Sequence, residues 1–134
     1  MSEILVDNLT GKTSAGDITV TSEGGAATQS LQQGLAKAWV RYDGTAPASG
    51  LDSLNISSIT DAAVGDQKPA FTNNMANDVY SNTATSAQYH IIGLSNNGGS
   101  TGTPTTGFRM ITYDSSHIAV DTGRVASQVT GDLA

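Results

Sequence analysis

His90 and His117 are the only imidazoles in the chain, and no cysteine is present, so catalytic or metal chemistry would have to start from these two residues. A Ser–His–Asp arrangement needs an imidazole within hydrogen-bond reach of both partners, and Ser and Asp are too frequent here for their presence to select anything. His90 precedes Ile91-Ile92 in an apolar run and reads as a partly buried, hydrogen-bonded side chain. His117 stands beside the turn formers Asp114-Ser115-Ser116. Neither is accompanied by a nucleophile-elbow or zinc-ligand pattern. The lack of Cys also removes disulfides, thiolate metal ligands and thiol nucleophiles.

The carboxylates give no paired site either. Asp43, Asp61, Asp66, Asp114 and Asp121 stand singly at turn positions, where a short acidic side chain accepts hydrogen bonds from local backbone N–H groups. A calcium loop needs several oxygen ligands at close spacing, and no such run occurs. Gly98-Gly99-Ser100-Thr101-Gly102 is Gly-rich but lacks the Gly-Lys-Ser/Thr ending of a phosphate loop and leads into no helix. Trp39, Tyr42, Tyr80 and Tyr89 read as packing residues rather than a sugar platform, given the area an aromatic ring buries. The expectation is a protein with no catalytic residue, no cofactor and no metal: not an enzyme.

Charge narrows the partners. The net charge is −6 and the isoelectric point about 4.4. The six basic residues Lys12, Lys37, Arg41, Lys68, Arg109 and Arg124 are scattered, whereas contact with a phosphate backbone needs them clustered. No nucleic acid is expected. Nothing approaches the roughly 18 consecutive apolar residues of a membrane span, and the opening MSEILVDNLTGK has an acidic residue where a secretion signal carries basic ones. No membrane insertion and no signal-directed export are expected.

The 134 residues suffice for one domain, or for a short arm joined to a smaller domain. Hydrophobic residues make up 37% and charged residues 13%, against roughly 45–50% and about 25% in average domains. Gly, Ser, Thr, Asn and Ala fill the difference, a polar but uncharged composition suited to β-structure that gains buried surface from neighbouring chains. Ile4-Leu5-Val6 and Ile18-Thr19-Val20-Thr21 read as two short strands of an N-terminal arm, with Ser22–Ser30 as a linker. A two-stranded ribbon is marginal alone, so Ile4, Leu5, Val6, Ile18 and Val20 are assigned to docking on a partner surface. Further strands are expected at Ala36–Tyr42, Leu54–Ile59, Gln88–Leu94, Phe108–Tyr113 and His117–Val120, with a short or edge strand at Pro69–Thr72. The segment Asn73–Ser86 reads as a surface loop and the tail after Asp121 as weakly patterned. The predicted fold is all-β: residues 1–30 an arm and linker, and residues 31–134 a small antiparallel β-sandwich or jelly-roll-like knob.

One stretch carries a family resemblance. Gly34, Ala36, Lys37, Ala38, Trp39, Val40, Tyr42 and Gly44, followed by Ser53, Asn55, Ile56, Ser57, Ser58, Ile59, Thr60, Asp61, Gly65 and Asp66, resemble a motif of phage tail-fibre and virion-fibre proteins, marine ones especially. It covers about a quarter of the chain; the sequence departs from the pattern from Gln67 onward. The resemblance implies a non-enzymatic virion component on the tail or capsid surface, made in the host cytoplasm and trimeric. It implies contact with other virion proteins and with a host-surface glycan or receptor, with Trp39, Val40, Tyr42, Ile56 and Ile59 as core or subunit anchors. The competing expectations are a capsid decoration protein that clamps the shell and, from another class, a glycan-binding or glycan-degrading domain. A glycan-degrading enzyme would need paired carboxylates.

Overall fold

A computed structural model describes residues 3–14, 17–45, 49–86, 90–95 and 104–134. Tyr89 and the Gly-rich loop 96–103 lie outside the described residues. The chain forms two compact units, Met1–Leu35 and Ala36–Ala134.

The first unit is built around a small hairpin. Strand β1 (Thr19–Thr21) pairs antiparallel with β2 (Thr28–Ser30), Val20 opposite Gln29. Between them Gly25 takes φ +70°, and its N–H donates to Ser22 O at 2.8 Å. The partner of β1 is therefore not Ile4-Leu5-Val6, which is not a strand, but a segment read from sequence as linker. The physical reason is loop closure: Gly24-Gly25 folds adjacent residues back at little entropic cost, whereas Ile4–Val6 would have to close a longer loop. Helix α1 (Leu31–Gly34) follows as a single turn, its first N–H groups capped by Ser30 Oγ, which accepts from Gln33 N. Ile4, Leu5, Val6, Leu9 and Val20 are all exposed, Ile4 and Leu5 at 84%.

The second unit is an antiparallel β-sandwich. Its strands are β3 (Ala38–Asp43), β4 (Ser49–Leu54), β5 (Ile56–Ala63), β6 (Asp66–Phe71), β7 (Ser81–Ser86), β8 (Ile91–Ser95), β9 (Arg109–Tyr113) and β10 (Val125–Thr130). One sheet has the order β4-β3-β10-β7 and the other β5-β6-β9-β8. Period-two alternation supplies the core. Ala38, Val40 and Tyr42 point inward from β3, Val125 and Val129 from β10, and Met110 from β9, all at most 1% exposed. Phe71, Met75 and Phe108 complete the cluster, with Ile56, Ile59, Tyr80 and Ile92 packed against it. Phe71 meets Tyr80 edge-on at 5.8 Å and Phe108 at 5.6 Å.

Three local irregularities explain where the sequence expectations slipped. Leu54–Ile59 is not one strand, because Asn55 adopts φ 57° and breaks β4 from β5. Asn is one of the few side chains that tolerate this region, and its amide ties the break down: Nδ2 donates to Lys37 O and Asn73 O while Oδ1 accepts from Asn73 N. Next, the β5–β6 register shifts between Ile56 and Ser58. A bulge changes the facing parity by one residue, so Ile56 and Ile59 both pack on the core despite their odd spacing. Pro69 sits in a six-residue strand with neighbours on both sides, where a short or edge strand was expected. Its carbonyl accepts from Phe108 N, so its missing N–H faces β9, where the ladder is interrupted after Asp66↔Ile111 and Gln67↔Met110.

Besides β2 and β4, of which only Leu54 was expected in a strand, β7 and β10 were not foreseen. Ser81–Ser86 is polar because it turns only Asn82, Ala84 and Ser86 inward, and Ser127 Oγ donates to Asn82 Oδ1 at 2.6 Å. Val125–Thr130 is the strand that joins β3 to β7, with Val125, Ser127 and Val129 buried. Conversely, His117–Val120 contributes only an isolated bridge, Ala119 to Tyr113.

Gly65 closes the β5–β6 turn at φ +70°. A Cβ there would stand 2.7 Å from Thr112 O and 2.8 Å from Val120 N. Gly65→Ala is expected to cost roughly 1–3 kcal/mol, read as a lower midpoint in chemical unfolding with an unchanged slope.

Candidate functional site

Strand β3 divides the motif residues by parity. Val40 and Tyr42 face the core, while Trp39, Arg41 and Asp43 face outward. Trp39 is therefore not a core anchor of its own sandwich; it is half-buried on the outer surface of the β4-β3-β10-β7 sheet. The register sets its neighbours. Leu54, Trp39, Gln128 and Thr83 form one row across the four strands, and Asp52, Arg41, Ala126 and Thr85 the next. Ala126 and the two threonines are short beside Trp39, Arg41 and Gln128, and the difference in side-chain length leaves a hollow of about 380 Å³ lined by these residues. None of the side chains of Trp39, Arg41, Thr83, Thr85 and Gln128 has a hydrogen-bond or ion-pair partner among the described residues.

The polar groups elsewhere in the sandwich are engaged. Asp66 and Arg109 make a bidentate pair at 2.7 and 2.8 Å on the outer face of the other sheet, a geometry that raises the guanidinium pKa. Tyr42 donates to Gln67 Oε1 in the core at 3.4 Å, and Tyr80 donates to Pro104 O and Gly107 O. Asp43, half-buried at the end of β3, accepts from Thr45 N and Thr45 Oγ1, which lower its pKa. Beside the Asp66–Arg109 pair, Ile91, Ile111 and Tyr113 share the outward face, with Tyr113 lying over Gly93. That surface is an apolar stripe rather than a hollow.

Burial pushes the Tyr80 hydroxyl up to about 12 and that of Tyr42 farther in the same direction. The unfolded chain ionises both near 10.0. A folded pKa above the unfolded one gives stability that is complete below pH 10 and is lost as pH rises toward 12. Tyrosinate absorbance and loss of β-sheet circular dichroism are expected to rise together in that window. Titration of Tyr80 near 10 with the fold intact would contradict its burial.

The histidines do not meet in a constellation. His90 is half-buried with no partner for Nδ1 among the described residues, and His117 is exposed in a turn at φ 61°. Among the described residues no group of three or more His, Asp or Glu is placed to hold a metal ion, and no helix is long and apolar enough to cross a membrane. Of the residues assigned from sequence, Val40, Tyr42, Ile56 and Ile59 come together in or against the core. Ile4, Leu5, Val6 and Val20 are exposed in the first unit, where Ile18 is half-buried. The sequence reading missed Gln128, Ala126, Thr83 and Thr85; the alternation of Val125, Ser127 and Val129 was the available signal for the first two.

No family model matches the chain, and no characterised protein or solved structure matches it either.

Proposed function

We propose that this chain is a non-enzymatic structural protein of a bacteriophage particle, a fibre or attachment component of the tail or capsid surface. The observation that carries the reading is the contrast between the two units. The first exposes Ile4, Leu5, Val6, Leu9 and Val20 on a unit whose only strand pair among the described residues is three residues long, too little to be stable without a partner. The second has its own core, nine buried apolar residues among those described, and so has the means to fold on its own. An arm that completes itself on another virion protein, joined to a self-sufficient sandwich that is displayed, fits that division. The resemblance of the segment from Gly34 to Asp66 to virion-fibre proteins supports the same reading, and such fibres are often trimers. In this account the protein is made in the host cytoplasm and resides on the virion.

The apolar stripe of Ile91, Ile111 and Tyr113 favours a second reading, a decoration protein that clamps the shell through a flat face. Light scattering on the purified full chain at several concentrations separates the two. A stable mass of three chains is expected for the fibre; a folded monomer at every concentration would sink the fibre and leave the clamp.

A further inference from the structure

We infer that the hollow beside Trp39 is a carbohydrate subsite that takes one neutral hexopyranose unit of a glycan. This deepens the attachment reading and rests on it for the source of the glycan; the chemistry rests on the face itself.

A pyranose presents an apolar C–H face and a rim of hydroxyls that both donate and accept. Recognition therefore needs a flat apolar surface with donors and acceptors at its edge. Trp39 supplies the amphipathic ring, which carries one N–H donor. Arg41 and Gln128 flank it on β3 and β10. Both are planar groups able to hold two neighbouring hydroxyls at once, the guanidinium as donor and the amide as donor and acceptor. Thr83 and Thr85 bring hydroxyls from β7. Ala126 keeps the floor low between them, and the volume of about 380 Å³ lies in the usual range of small-ligand sites, roughly 300–1,000 Å³. These polar groups have no protein partners among the described residues, unlike Asp66, Arg109, Tyr42 and Tyr80.

Charge selects the class of sugar. Among the described residues lining the hollow Arg41 is the one cation, and Asp52 is its register partner on β4, so the rim is balanced. A phosphate or polyanion would need clustered cations that this sheet lacks. A second copy of the chain fits the flat stripe of Ile91, Ile111 and Tyr113 better than a hollow with a polar rim. Among the described residues no paired carboxylates line the hollow, so the subsite proposed is one for binding rather than cleavage.

Trp39 is the chain's single tryptophan, so its fluorescence reports occupancy directly. The full chain is titrated with methyl glycosides of glucose, galactose, mannose and N-acetylglucosamine and with their disaccharides, with glycerol as the non-specific control. A saturable change with at least one glycoside and none with glycerol is expected. Arg41→Ala and Gln128→Ala, both outward-facing, are each expected to weaken that binding about tenfold without lowering the melting temperature. No saturable change with any glycoside overturns the subsite, as does binding that both variants leave intact. Trp39 emission that shifts with protein concentration, together with loss of oligomer in those variants, would assign the hollow to a second copy and overturn it as well. Antibody detection of the chain in purified phage particles is independent of the sugar result. Particles that carry a chain with no glycoside affinity would remove the subsite and keep the virion role.

Discussion

Met110→Ala is expected to lower the stability of the sandwich by about 2–5 kcal/mol, the cost of deleting a large buried aliphatic side chain without full collapse of the site. Met110 is completely buried. It stands on β9 in the middle of its sheet, opposite Gln67 of β6 on one side and paired with β8 on the other. Small domains hold only about 5–15 kcal/mol in total, so the loss is a large share. In a domain of this size each kcal/mol moves the melting temperature by roughly 4–8 °C. Thermal unfolding followed by circular dichroism should therefore show a drop on the order of 10 °C or more. Arg41→Ala, on the opposite side of the neighbouring sheet, should leave the midpoint nearly unchanged. A Met110→Ala midpoint equal to the parent's would mean that this position is not enclosed as the fold requires.

The second large effect concerns the arm. Replacing Ile4, Leu5, Val6 and Leu9 together by serine is expected to leave the melting of the sandwich untouched and to abolish incorporation into particles. These side chains are 84, 84, 55 and 65% exposed in the isolated chain, and none of them belongs to the core of the sandwich. Burying each on a partner contributes about 1.5–3 kcal/mol, and losing four shifts the docking equilibrium by at least on the order of ten-thousandfold. The check is the amount of chain that sediments with particles, set against the melting curve of the same variant. Normal incorporation of the fourfold variant would assign docking to the sandwich instead.

The sandwich was legible where apolar residues alternate. Phe108, Met110 and Thr112 against Arg109, Ile111 and Tyr113 have the facing that the pattern dictates, and so do Val40 and Tyr42 against Trp39 and Arg41. Ser81–Ser86 was illegible because its inward positions are Asn82, Ala84 and Ser86, and the side-chain bond between Ser127 and Asn82 does there what apolar packing does elsewhere. Asn55 and the Ser57 bulge were hidden for another reason. Both decide which face a residue takes through one backbone dihedral or one extra residue, and composition carries no trace of either. The same holds for the hollow. Trp39 stood out in the sequence as the largest apolar side chain, and that size was read as a sign of burial. Only the register of β3, β10 and β7 sets Gln128, Ala126 and Thr83 around it.

The central claim, a virion protein with a docked arm and a displayed sandwich, is tested most directly by gold-labelled antibodies raised against the sandwich. They would be applied to intact particles released from cells that carry the gene and viewed by electron microscopy. Gold at regular positions on the surface of tail or capsid is the predicted result. Particles without label, with all of the chain left in the soluble fraction of the lysate, would contradict it.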